Sequence, residues 1–162
     1  MKKLRLYLDT SVISFLYADD APEKRDITRE FFEQYVARGV YDVWISSIVV
    51  REIERTRDVN ERLRLIKVVT DYQLRLLALA PEDEIGALAE AYVRDGVIPR
   101  KKFDDALHIA ISIVHNVDVL VSWNFQHLAN VNKERRALQV NHANGYYHPL
   151  RITTPLEVMS RE

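Results

Sequence analysis

Leu4, Leu6 and Leu8 alternate with Arg5 and Tyr7, and the run stops at Asp9-Thr10-Ser11. Alternation of this kind marks a strand, whose side chains point to opposite faces in turn. The Asp-Thr-Ser trio ahead of Val12-Ile13-Ser14-Phe15-Leu16 reads as a helix start, because its oxygens accept from N–H groups left open in the first turn. An early strand delivering a carboxylate at its C-terminal end suits an open α/β sheet, where ligands bind beyond the carboxyl ends of the strands.

The pattern continues in alternating periods. Pro22 opens a helix in which Ile27, Phe31, Tyr35 and Val36 recur at helical spacing until Gly39. Residues 41–45 alternate as a second strand, with Ser46 or Ser47 placed to cap a helix over 48–57. A helix over 60–72 puts Leu65, Ile66, Val69 and Tyr72 on one face; 74–79 fits a third strand, with a helical extension as the alternative. Ile85, Leu88, Ala89, Tyr92 and Val93 then mark a helix behind Pro81 and three acids, closed by Gly96. Residues 101–115 form a helix apolar around most of its circumference, and 118–122 a strand of the fully buried kind. The tail carries a basic helical piece around 133–136, an Asn-Gly turn and a last extended segment at 150–155. Strands alternating with helices predict a single α/β domain over 1–162 with a mostly parallel sheet covered on both faces.

Composition narrows the chemistry. The chain has no cysteine, so disulfide scaffolds, thiolate nucleophiles and zinc-thiolate sites are excluded. No apolar run approaches the length of a membrane span, and Met1-Lys2-Lys3 leads into a strand without a signal-peptide pattern, so a cytoplasmic protein is expected. The net charge of −1 leaves nucleic acid open, since only local charge decides that.

Four places carry candidate chemistry. Asp9 ends the first strand; its plain structural role is an N-cap. Glu52 flanks the core-facing side of its helix, defined by Ile48, Val49 and Ile53, while Glu54 and Asp58 point away. Asp105, His108, Ser112 and His115 share one narrow sector of an otherwise apolar helix, a stripe that must face solvent, a partner or a cavity. Asp104 beside it has an ordinary explanation in the helix dipole. Asn124 follows the late strand at the sheet edge expected for Asp9, where a turn asparagine is common. Hard oxygen acids converging without cysteine suit Mg2+ or Mn2+ better than zinc, and carboxylates held close repel unless a cation or proton intervenes.

Leu8-Asp9-Thr10-Ser11-Val12, Glu52 in the helix after the second strand, and Asp105-Ala106-Leu107-His108-Ile109-Ala110 together resemble the PIN domain family. Within it the chain is similar to the VapC-type toxins of toxin–antitoxin pairs. The Leu-Val-Ser-Trp-Asn-Phe segment ending at Phe125 and the terminal 152–157 fit the family's last strands. The resemblance implies a three-layer α/β/α sandwich and a metal-dependent ribonuclease that hydrolyses phosphodiester bonds. Asp9, Glu52 and Asp105 would hold one or two Mg2+ or Mn2+ ions, and Asn124 falls where many members have a fourth acid. Asp104 stands in for Asp105 if the helix phase shifts by one.

Thr10 and Ser11 either orient a ligand or water or only cap the helix. His108 either touches RNA or lines the groove, the second being favoured. Arg55, Arg57, Arg100, Lys101 and Lys102 lie near the acids in sequence and are candidates to hold the RNA backbone. Trp44 and Trp123 are read as core residues. Partners implied are RNA, a small antitoxin whose tail enters the groove, and a second copy in a homodimer. Phe15, Leu16, Phe31 and Phe32 offer a contact surface unless the core uses them. A phosphotransferase of the haloacid-dehalogenase type would want an aspartate where Ser11 stands.

Overall fold

The computed structural model describes residues 2–159. Five strands, β1 (Arg5–Leu8), β2 (Asp42–Ser46), β3 (Arg75–Leu77), β4 (Val119–Val121) and β5 (Arg151–Thr153), form one sheet in the order β3-β2-β1-β4-β5. Each of the four neighbouring pairs is parallel. Parallel strands need crossovers, and helices supply them on both faces. These are α1 (Thr10–Ser14), α2 (Pro22–Phe31), α3 (Ser47–Glu54), α4 (Val59–Asp71), α5 (Glu82–Arg94), α6 (Phe103–Val114), α7 (Val131–Ala143) and α8 (Pro155–Met159). Helix α5 packs on α6 and α7, while α1, α3 and α4 pack together and α2 meets α8. The architecture is the three-layer α/β/α sandwich that the family resemblance implies, with the parallel sheet covered on both faces that the sequence pattern predicts.

β1 lies at the centre, and Leu6, Tyr7 and Leu8 are wholly buried. Its neighbours set the register that matters later, with Leu8 opposite Val121 on β4 and Tyr7 opposite Trp44 on β2. Gly39 and Gly96 end their helical segments with φ of +67° and +74°, a conformation that a side chain disfavours.

Several local expectations shift. The helix opened by Pro22 does not run unbroken to Gly39: α2 passes at Phe32–Val36 into a π-helical turn. Phe31 at the end of α2 and Phe32 at the start of the turn both sit in the core at 0% exposure. In α4 the buried pair is Leu65 and Val68, with Ile66, Val69 and Tyr72 packed at the core's edge. Leu16, Phe31 and Phe32 are core and Phe15 packs on Trp123, so these residues do not form the contact surface offered for a partner. Trp123 is buried, as a core tryptophan should be, but Trp44 is half-buried, with the guanidinium groups of Arg5 and Arg75 over its ring. Among the described residues no helix is long and apolar enough to cross a membrane.

Candidate active site

In the order β3-β2-β1-β4-β5 the chain leaves β1 in one direction for β2 and in the other for β4, so the switch point falls between β1 and β4. Such a point opens a crevice at the carboxyl ends of the strands. A cavity of about 490 Å3 lies there, lined by Asp9, Glu52, Asp104, Asp105, His108 and Asn124, with Thr10, Ser11, Arg55, Lys101, Lys102 and Phe103 completing it.

Asp9 leaves β1 in extended conformation and caps α1, its Oδ1 accepting from the Val12 N–H at 3.4 Å. Capping does not exhaust it. Ser11 Oγ donates to Oδ1 and Ser122 Oγ to Oδ2, each at 2.5 Å. Ser122 comes to Asp9 because it is the next residue after Val121, which lies opposite Leu8. Burial pushes the Asp9 carboxyl up from its ordinary range, against the opposing pull of His108 and the two serine hydroxyls.

Glu52 is delivered by α3, whose N-cap Ser46 accepts from the Ile48 N–H at 3.2 Å. Its Oε1 accepts from Thr10 Oγ1 at 2.9 Å and bonds His108 Nε2 at 2.7 Å. His108 Nδ1 meets the Tyr7 hydroxyl at 2.7 Å, and that hydroxyl meets Ser46 Oγ at 2.7 Å. The chain Ser46–Tyr7–His108–Glu52 is satisfied throughout when each group donates toward Glu52 and the imidazole carries its proton on Nε2. Burial alone would raise Glu52, but the His108 bond and charge, with Thr10 and Arg55, hold it below its usual value. Burial likewise would lower His108, and Glu52 with Asp9 and Asp105 raises it instead.

Asp105 stands in the first turn of α6. Burial, then repulsion from Asp9 and Glu52, pushes its carboxyl up to about 6 against the pull of His108 and Lys102. Asn124 Nδ2 donates to Asp105 Oδ2 at 3.3 Å, while Asn124 Oδ1 accepts from the His127 N–H at 3.0 Å. Those two bonds fix the amide orientation and turn the NH2, not a ligating oxygen, toward the carboxylates. Asp104 differs from Asp105 in that Arg51 and Arg55 hold it at 2.8 and 3.1 Å.

His108 is 1% exposed and bonds Glu52, which agrees with the favoured reading that it lines the groove rather than the alternative of an RNA contact. Ser112 of the same stripe is buried and donates back to the His108 carbonyl at 2.7 Å, while Asp105 and His115 are partly exposed. Of the basic candidates, Arg55, Lys101 and Lys102 reach the cavity, whereas Arg57 and Arg100 do not line it and Arg100 pairs with Glu90 at 2.6 Å. The sequence reading passed over Tyr7, Ser46, Arg51 and Ser122. Register between β1 and β4 is the signal that finds Ser122.

A search against protein families matches the PIN domain over residues 6–132. The chain belongs to the PIN domain family. Members of this family are in general nucleases that work with divalent metal ions, and such a PIN nuclease binds nucleic acid as substrate. Neither curated proteins nor solved structures yield a match.

The donor set fits a hard divalent ion in kind. It consists of carboxylate oxygens, and among the described residues Glu52 Oε2 and Asp105 Oδ1 accept no hydrogen bond. Burial first, and after it the charges of Asp9 and Glu52, raise Asp105, and a cation would offset that second cause. The cage is not closed: among the described residues no three acidic or histidine side chains gather tightly enough to hold an ion as they stand. Each carboxylate is instead turned onto its own protein donors.

Proposed function

We propose that this PIN domain is an endoribonuclease dependent on Mg2+ or Mn2+ that hydrolyses RNA phosphodiester bonds, and that it is the toxin of a VapBC-type pair. The observation that carries the reading is the single pocket in which Asp9, Glu52 and Asp105 meet beside Arg55, Lys101 and Lys102. Asp9, Glu52 and Asp105 would hold the ion, which when bound activates water and offsets charge on the phosphate. Ser11 and Ser122 orient the Asp9 carboxylate, Thr10 and His108 orient Glu52, and Asn124 steadies Asp105. Lys101, Lys102 and Arg55 draw the backbone of the substrate to the pocket. A small antitoxin entering the same groove, a homodimer and a cytoplasmic location follow from the toxin assignment.

A second reading is a catalytically weak module that binds RNA or protein. It is favoured by Asn124, an amide where many family members have a fourth acid, with its oxygen already committed to His127. One experiment separates the two. Purified protein is incubated with single-stranded RNA and Mg2+ or Mn2+, alongside Asp9→Asn. Cleavage that Asp9→Asn brings to background supports the nuclease; RNA binding with no metal-dependent cleavage supports the module, and cleavage undiminished in Asp9→Asn refutes the assignment.

A further inference from the structure

Just past the pocket the chain displays an aromatic residue that the fold does not need to expose. Phe125 follows Asn124 and is 48% exposed. It is nonetheless held in place. Trp123 beneath it is 7% exposed, anchored by its Nε1 on Thr28 Oγ1 at 2.9 Å and by its backbone N–H on Ser11 Oγ at 2.9 Å. The Phe125 carbonyl accepts from Asn130 Nδ2 at 2.5 Å, and the Asn124 carbonyl accepts from the Leu128 and Ala129 N–H groups. The Trp123 and Phe125 rings meet at 6.2 Å and a steep 64°.

Lys24 completes the feature. Its Nζ lies 5.0 Å from the Phe125 ring centre and 5.7 Å from those of Phe15 and Trp123. The neighbouring Arg25 is taken by Asp19 and Asp26, whereas Lys24 has no ion pair among the described residues. Lys24 also lines a cavity of about 360 Å3 together with Phe15, Asp20 and Glu61. A fixed exposed ring beside a cation without a carboxylate partner is what one nucleotide of a single strand matches: its base stacks on the ring and its phosphate meets the ammonium. Paired bases offer no free face, so duplex does not fit.

We propose that Phe125 and Lys24 form a nucleotide-binding step beside the pocket that takes one unpaired nucleotide of the RNA. The inference rests on the nuclease reading. Its place is set by the pocket, since the Trp123 N–H bonds the same Ser11 hydroxyl that bonds Asp9.

The test measures binding of a labelled single-stranded RNA by fluorescence anisotropy in EDTA, so that no cleavage enters. Phe125→Ala is expected to weaken binding about tenfold and Phe125→Trp to restore it, as stacking on one base implies. Lys24→Gln is expected to lower affinity a few-fold and to reduce the salt slope by about one charge. All three are expected to melt with the wild type, since Phe125 is a surface side chain. Binding by Phe125→Ala within about twofold of wild type, while the wild type cleaves RNA with Mn2+, overturns the step alone. A wild type that neither binds nor cleaves overturns both the step and the nuclease reading. Loss of binding to an isolated protein partner, with RNA binding unchanged, shows Phe125 to be a protein contact and overturns the step.

Discussion

The two walls of the pocket are built differently. On the β1–α3 wall, Asp9 and Glu52 are each fixed by short hydrogen bonds from buried or half-buried groups, Ser11 and Ser122 for one, Thr10 and His108 for the other. On the α6 wall, Asp105 has one bond at 3.3 Å, and Asp104 is held by two arginines that are 47% and 61% exposed. The first wall spends core positions on orientation; the second leaves its carboxylates loosely tied. A site that must close on a ligand needs one rigid jaw to set geometry and one that adjusts, and the difference says which is which.

The sharpest way to break this comparison is at the buried support of the rigid wall. His108→Ala leaves the Tyr7 hydroxyl and Glu52 Oε1 each short of a partner and opens a cavity. The expected cost is about 3 kcal/mol of stability in urea denaturation. A loss of roughly 10–100-fold in Mn2+ affinity by calorimetry is expected with it. His108→Gln, which still offers an N–H toward Glu52, is expected to recover affinity more than stability. Equal recovery of both would mean that His108 merely fills space.

A smaller effect is expected on the adjustable wall. The folded protein holds the Asp105 proton up to about pH 6, whereas the unfolded chain releases it near the ordinary value of 3.8. Folded protein therefore binds more protons in that window, and stability from this group falls as pH rises through it. Asp105→Asn removes the penalty. In metal-free buffer it is expected to raise stability by about 2 kcal/mol at neutral pH and to change nothing below about pH 4. Wild-type affinity for a divalent ion is expected to rise with pH through about 6 as the proton leaves. A destabilised Asp105→Asn at neutral pH would place that carboxylate on the rigid wall after all.

The smallest effect belongs to Asp104. Its arginine pairs are largely exposed and screened, so Asp104→Asn is expected to cost under about 1 kcal/mol and to leave cleavage within a few-fold of wild type. A large loss of turnover would make Asp104 a member of the site in its own right.

The same contrast governs what was legible in the sequence. The layered fold was, because Leu4 to Leu8 and the stripe from Ile85 to Val93 carry clean periods of two and 3.6. Asp9, Glu52 and Asp105 stood out as acids at odds with their surroundings, and the fold brings them to one pocket. Their supports did not stand out. Ser122 and Tyr7 look like strand residues until the β1–β4 register puts one beside Asp9 and α6 lays His108 against the other. The π turn at Phe32–Val36 was illegible because Ile27, Phe31, Tyr35 and Val36 fit an unbroken helical period equally well. Sequence neighbours also misled, since Arg100 adjoins Lys101 yet turns to Glu90.

The span of the chain across the rigid wall has a consequence for synthesis. Asp9 is made well before the hydroxyl that bonds its Oδ2, since Ser122 lies 113 positions later, and β1 gains that neighbour only when β4 pairs with it. A nascent chain therefore carries the acid long before it carries the geometry, and the pocket stays unassembled until β4 has been made. The acid cluster is thereby given its supports only after β4 has been made.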